Sequence, residues 1–172
     1  MKTTYKGYTV FIEQDLDVGE SPLEWTTPEE RGAWFVLSHS KYTLPNELDV
    51  DFDSYENWRE LAEGESKTMQ VYRFINWYEH GGIALSLQEH DNPSDRWDAG
   101  IAGVVIGNSI EEVSGAFNDY KMYMEGDVWS YIIEDAEGNV VDSLSNIYGY
   151  EYAEEEARAY IDNYVVNAGQ AA

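Results

Sequence analysis

Asp49, Asp51, Asp53 and Glu60 stand at positions 1, 3, 5 and 12 of a calcium-loop register, where alternating carboxylates and a final Glu would give oxygen ligands to a hard cation. The register lacks its turn glycine, since Ser54 holds position 6, and Val50 and Phe52 alternate with the acids as in a strand end leading into a capped helix. Capping and solvated charge therefore account for these acids better than a metal does. His39, His80 and His90 are the only histidines, and none has a metal spacing such as His-Glu-x-x-His. A zinc site would need three or four converging ligands with no cysteine to help. Asp95 with Asp98, and Asp127 with Asp142, are pairs that acid–base chemistry uses. Among 34 carboxylates such pairs arise by chance. No Gly-x-Ser-x-Gly elbow, phosphate loop or dinucleotide fingerprint occurs. The expectation is a protein that is not an enzyme and has no cofactor.

The aromatic residues point the same way. Trp25, Trp34, Trp58, Trp77, Trp97, Trp129 and fourteen Tyr have the planar faces that single-strand binders stack on bases. That task needs a basic groove, and the chain carries 34 Asp and Glu against ten Lys and Arg, a formal net charge of −24. Core packing and the anchoring of a protein interface explain the aromatics better.

Solubility needs a net charge of only about 2 to 8, and self-repulsion on this larger scale opposes the compact state. The acids run through the whole chain, in Glu13 to Asp17, Asp49 to Glu65, Glu111 to Glu125, Glu134 to Asp142 and Glu151 to Glu156. Disordered acidic tails carry few apolar residues, whereas this chain is 43% hydrophobic and 15% aromatic, so the charge coats a folded body. A globule of 172 residues is roughly 40 Å across. Duplex DNA of about 12 base pairs carries 24 charges over the same length. A halophile's acidic surface, or a domain made to meet a basic protein patch, would give a similar composition.

The elements that must position these residues follow from period and punctuation. At 172 residues one domain is expected, with two small ones as the alternative. Tyr5 to Ile12 and Gly32 to Ser40 read as strands, with Pro22 to Pro28 a loop between them. Asp53 to Glu63 reads as a helix capped by Asp53 with Glu56 and stopped by Gly64. Gln70 to Tyr78 and Ile83 to Leu87 flank paired glycines and predict a hairpin. His90 to Asp95 reads as a loop, leading through Trp97-Asp98 to a buried strand at Ile101 to Ile106. Ser109 and Glu112 form a capping box for a helix whose Ile110, Val113, Phe117, Tyr120 and Met124 share one stripe, ended by Gly126. Val128 to Ile133 and Val140 to Leu144 predict a second hairpin, and Tyr152 to Val166 a closing helix. Strands interleaved with segregated helices imply an α+β fold, a largely antiparallel sheet with two to three helices packed on it. No segment approaches the roughly 18 apolar residues of a membrane span.

Six segments occur in a recognisable order: Glu20-Ser21-Pro22-Leu23-Glu24-Trp25, His39-Ser40-Lys41-Tyr42-Thr43-Leu44, Tyr78-Glu79-His80-Gly81-Gly82-Ile83-Ala84-Leu85-Ser86, Trp97-Asp98-Ala99-Gly100-Ile101-Ala102-Gly103, Gly126-Asp127-Val128-Trp129-Ser130-Tyr131, and Asp142-Ser143 followed by Tyr148-Gly149. Together they resemble a family of uncharacterised proteins encoded by bacteriophages and plasmids, over nearly the whole chain. Ala99 and Ser145-Asn146-Ile147 depart from the small polar residue and the longer aromatic run expected there. The resemblance carries over no catalytic residues. It implies a mobile-element origin and a bacterial cytoplasm, and it weighs against the halophile reading. Gly32-Ala33-Trp34-Phe35 is faintly similar to a segment of antirestriction proteins of the DNA-mimic type.

The expectation is thus a phage-type inhibitor that imitates the DNA backbone and blocks a DNA-binding or RNA-binding host defence protein with a basic groove, of the restriction or CRISPR kind. It would not bind nucleic acid or membrane itself, and a homodimer would lengthen its acidic face. The expected surrogate phosphates are Asp49, Asp51, Asp53, Glu56, Glu60, Glu63 and Glu65 in one band and Glu111, Glu112, Asp119 and Glu125 in another. The competing expectations are a regulator that binds a basic host protein by shape through aromatic hot spots, and a carboxylate-based or calcium-dependent enzyme.

Overall fold

A computed structural model describes residues 1–16, 18–66, 71–79, 81–91 and 99–170. In chain order the elements are β1 (Lys2–Tyr5), β2 (Tyr8–Gln14), α1 (Pro22–Trp25), α2 (Pro28–Arg31), β3 (Ala33–Leu37), α3 (Trp58–Glu65), β4 (Val71–Glu79), β5 (Ile83–Gln88), β6 (Ala99–Gly107), α4 (Ile110–Glu125), β7 (Val128–Glu134), β8 (Val140–Tyr148) and α5 (Tyr150–Gln170). The fold is α+β, as expected, with its strands in two antiparallel sheets. Two compact units are formed. Met1–Gly19 joins Gly126–Ala172 in the first, and Glu20–Glu125 makes the second. No helix among the described residues is long and apolar enough to cross a membrane.

The first unit orders its strands β1-β2-β7-β8. The single strand expected over Tyr5 to Ile12 is a hairpin, because Lys6 and Gly7 both take left-handed backbone, φ 48 and 87, the pairing a tight two-residue turn requires. Val10, Ile12, Tyr131, Ile133 and Ile147 form a buried cluster with Ala153, Ala157 and Ile161 of α5. Ala153, Ala157 and Ile161 recur every four residues and so make one stripe, and the two alanines let the helix lie close. The alternate residues Phe11, Glu13, Ser130, Ile132 and Glu134 fall on the opposite face of the sheet.

The second unit orders its strands β3-β6-β4-β5. Phe35, Ile75 and Val105 pack with Val113, Phe117 and Tyr120 of α4. Their neighbours Val36, Phe74 and Val104 pack with Leu61 and Ala62 of α3. Since successive strand residues point to opposite faces, the two helices cover opposite sides of this sheet. Both faces are therefore buried, which is why β3 and β6 read as nearly continuous apolar runs.

Three sequence expectations shift here. The helix predicted over Asp53 to Glu63 splits into a 3-10 turn, Phe52–Ser54, capped by Asp51, and α3, capped by Asn57. Gly64 lies inside α3: a Cβ there would meet the Tyr55 ring at 2.9 Å, so the glycine serves close packing and not termination. The Pro22 to Pro28 loop holds one single-turn helix, α1, and a second, α2, starts at its last residue, each with proline in the first turn. Ser21 caps one, and Thr27 with Glu30 makes a full capping box for the other. His80, Asp95, Trp97 and Asp98 lie outside the described residues.

Candidate functional site

The first acidic band belongs to the segment that leads into α3 and to α3 itself. Asp49, Asp51, Asp53, Glu56, Glu60 and Glu63 are exposed and Glu65 is half-buried. Several of these carboxylates also hold the chain. Asp51 accepts from the Asp53 amide and the Ser54 hydroxyl, both at 3.2 Å. Glu60 accepts from the Glu56 amide at 2.8 Å, and Glu65 accepts from the Tyr55 hydroxyl, which raises the pKa of that phenol. Among the described residues none of the seven pairs with a Lys or Arg. The neighbouring Arg59 reaches instead to Asp91, at 2.5 Å. No group of three or more His, Asp and Glu among the described residues is arranged to hold a metal. Asp51 and Glu60, two of the four acids in the calcium register, are used as local caps.

The second band lies on α4. Glu111, Glu112 and Asp119 are exposed, and desolvation by the surrounding protein still raises the Asp119 pKa. Ser109 accepts from the Glu112 amide at 3.2 Å and donates to its carboxylate at 3.0 Å. Because α3 and α4 cover opposite faces of one sheet, the two bands form two surfaces and not one.

A glutamate side chain caps an amide on each edge of that sheet, and on the β3 edge the backbone around Asn46 also pairs with the strand through a bridge to Val36. On the β3 edge Glu47 accepts from the Phe35 amide at 2.8 Å and is ion-paired to Arg31, both side chains being largely buried. On the β5 edge Glu125 accepts from the Leu85 amide at 2.9 Å and lies 3.9 Å from Lys121. An unpaired strand edge is a template for pairing with other chains, and a carboxylate on its amides blunts it. Glu125, expected as a surrogate phosphate, thus has a structural role as well.

One constellation escaped the sequence reading. His39 stacks on Trp77 with ring centroids 4.8 Å apart, and Tyr42 lies 5.4 Å from Trp77 and 5.1 Å from His39. Glu79 binds Lys41 and the Tyr42 hydroxyl, each at 3.1 Å; Lys41 first, then Tyr42, hold its carboxyl below the usual range. Trp77 is 3% exposed and its indole N–H has no hydrogen-bond partner among the described residues. His39, Lys41, Trp77 and Glu79 border a cavity of about 360 Å³. They come from the segments around His39 to Leu44 and Tyr78 to Ser86, two of the six quoted above. Their recurring aromatic and charged types were the available signal, but one sequence does not say that the two segments meet.

The chain matches no family model, no curated protein and no solved structure.

Proposed function

We propose that this protein is a non-enzymatic inhibitor of mobile-element origin that occupies the basic nucleic-acid groove of a bacterial defence protein. The observation that carries the reading is the band from Asp49 to Glu65, seven carboxylates with no cationic partner among the described residues in a chain of net charge −24. Such a surface attracts a basic groove over distance and releases the counterions held on both partners. A flat basic surface engages one band; a cleft that grips the second unit from both sides engages the two.

A second reading has its own support. Tyr42 is exposed over Trp77 and His39, and an aromatic cluster beside a cavity is the usual anchor of shape-based recognition. In that reading the charge supplies on-rate and specificity only.

The experiment is capture of bacterial proteins on the tagged chain at about 0.1 M and about 0.5 M salt, then competition of the captured partner with duplex DNA and with RNA. Mutual exclusion on a nucleic-acid-binding partner supports the inhibitor. A partner that holds through high salt and ignores nucleic acid overturns it.

A further inference from the structure

The outer face of the first unit's sheet carries an apolar rung between two acids. Phe11 of β2 pairs directly with Ile132 of β7, and Ile132 is 42% exposed. On the same face Glu13 stands opposite Ser130 and Glu134 opposite Thr9. At about 3.4 Å per residue, each carboxylate-bearing rung is about 7 Å from the Phe11–Ile132 rung, one on either side. Phe11, Glu13, Ser130, Ile132 and Glu134 border a shallow cavity of about 210 Å³. Neither Glu13 nor Glu134 has a cationic partner among the described residues.

The chain already shows what this face takes. The Lys2 ammonium sits 5.1 Å from the centroid of the Phe11 ring, a cation over an aromatic face. We propose that this sheet face docks a basic polypeptide segment and takes one of its Lys or Arg side chains, the alkyl stem along Phe11 and Ile132 and the charged head at Glu13 or Glu134. Long basic side chains bury their stems on apolar surface while their heads stay with charge. Charge complementarity selects this occupant over a second copy of the chain, which would bring −24 against −24 and the same two glutamates to the face. Addition of a strand at the sheet edge is disfavoured: β1 is four residues long with Lys2 on it, and the β7–β8 pairing is broken by two register shifts. This inference does not rest on the inhibitor reading, since it uses other residues in the other unit.

The test uses the whole chain and a hexa-arginine peptide as probe, with site-resolved dissociation constants read at about 0.15 M salt from the backbone amide resonances of positions 11 and 132, which both variants retain. The proposal expects a saturable shift there. It expects Ile132→Thr, a strand-compatible change on the open face, to weaken the constant about threefold, and Glu13→Gln with Glu134→Gln to weaken it about as much. A shift spread over other carboxylates without Ile132, an unchanged constant in both variants, or an Ile132 shift that tracks protein concentration without peptide overturns it, the last in favour of self-association. DNA competition for the captured partner plays no part in this readout, so the two readings fail separately.

Discussion

The Glu125 carboxylate accepts a hydrogen bond from the Leu85 amide at 2.9 Å, which makes one acid of the expected phosphate-like surface a cap on the free edge of a sheet. A charge-assisted bond of this kind contributes about 1.5–3 kcal/mol. Glu125→Ala is therefore expected to lower unfolding free energy by about 1–2 kcal/mol in a urea melt, whereas Glu111→Ala, an exposed acid on the same helix, changes it by less than about 0.5 kcal/mol.

Gly103 of β6 is required by a backbone neighbour. A Cβ there would lie 2.2 Å from the Val36 carbonyl oxygen and 2.9 Å from the Leu37 Cα, and neither belongs to a side chain that can swing away. Gly100, on the same strand, has open space where its Cβ would be. Gly103→Ala is expected to cost about 2–4 kcal/mol and Gly100→Ala less than about 1 kcal/mol, both read from thermal melts.

Stability should pass through a maximum below neutral pH. Desolvation holds the Asp119 carboxyl above the usual carboxylate range, so the fold favours its protonated form and its contribution to stability grows as pH falls from neutral towards its unfolded pKa near 4. Further down the sign reverses. Asp91 beside Arg59, Glu79 beside Lys41, Asp135 bound by Asn139 and Asp162 beside Lys6 are all held below the usual carboxylate range. Each stabilises the fold fully above its unfolded pKa, near 4, and loses that contribution as pH falls through its folded value. Melting temperature is expected to rise from pH 7 to about 5 and to fall below about 3.5.

Tyr42 separates the two functional readings. If carboxylates supply the binding, Tyr42→Ala changes affinity for the captured partner less than about twofold. An aromatic hot spot loses 2 kcal/mol or more, about 30-fold. Titration of the variant against the purified partner decides between them.

How much of this was legible depends on sequence distance. The β4–β5 and β7–β8 hairpins and α4 were readable because Gly81-Gly82, Asp135 to Asn139 and the Ser109–Glu112 box mark them locally. The Lys6-Gly7 turn was not, since Lys in left-handed backbone is uncommon and the tight-turn signals expected are Asn-Gly or Asp-Gly. Gly64 looked like a stop because the reason for it, the Tyr55 ring, is a packing contact. The pairing of β2 with β7 joins the two ends of the chain and has no local mark. For the same reason the acidic types along 49–65 and α4 were plain, while their placement on opposite faces of one sheet and the meeting of His39, Tyr42 and Trp77 were not.

The central claim is that exposed carboxylates stand in for phosphates, and Asp49, Asp53, Glu56 and Glu63 test it best because their carboxylates accept no described hydrogen bond and no described ion pair uses them. The measurement is the dependence of log affinity on log salt for the captured partner, with the native chain and with Asp49→Asn, Asp53→Asn, Glu56→Gln and Glu63→Gln singly and together. The account predicts a steep linear fall, a loss of about two- to fivefold for each neutralised acid, and a shallower slope for the fourfold variant. A flat salt dependence, or a slope and affinity that the fourfold variant leaves unchanged, contradicts it.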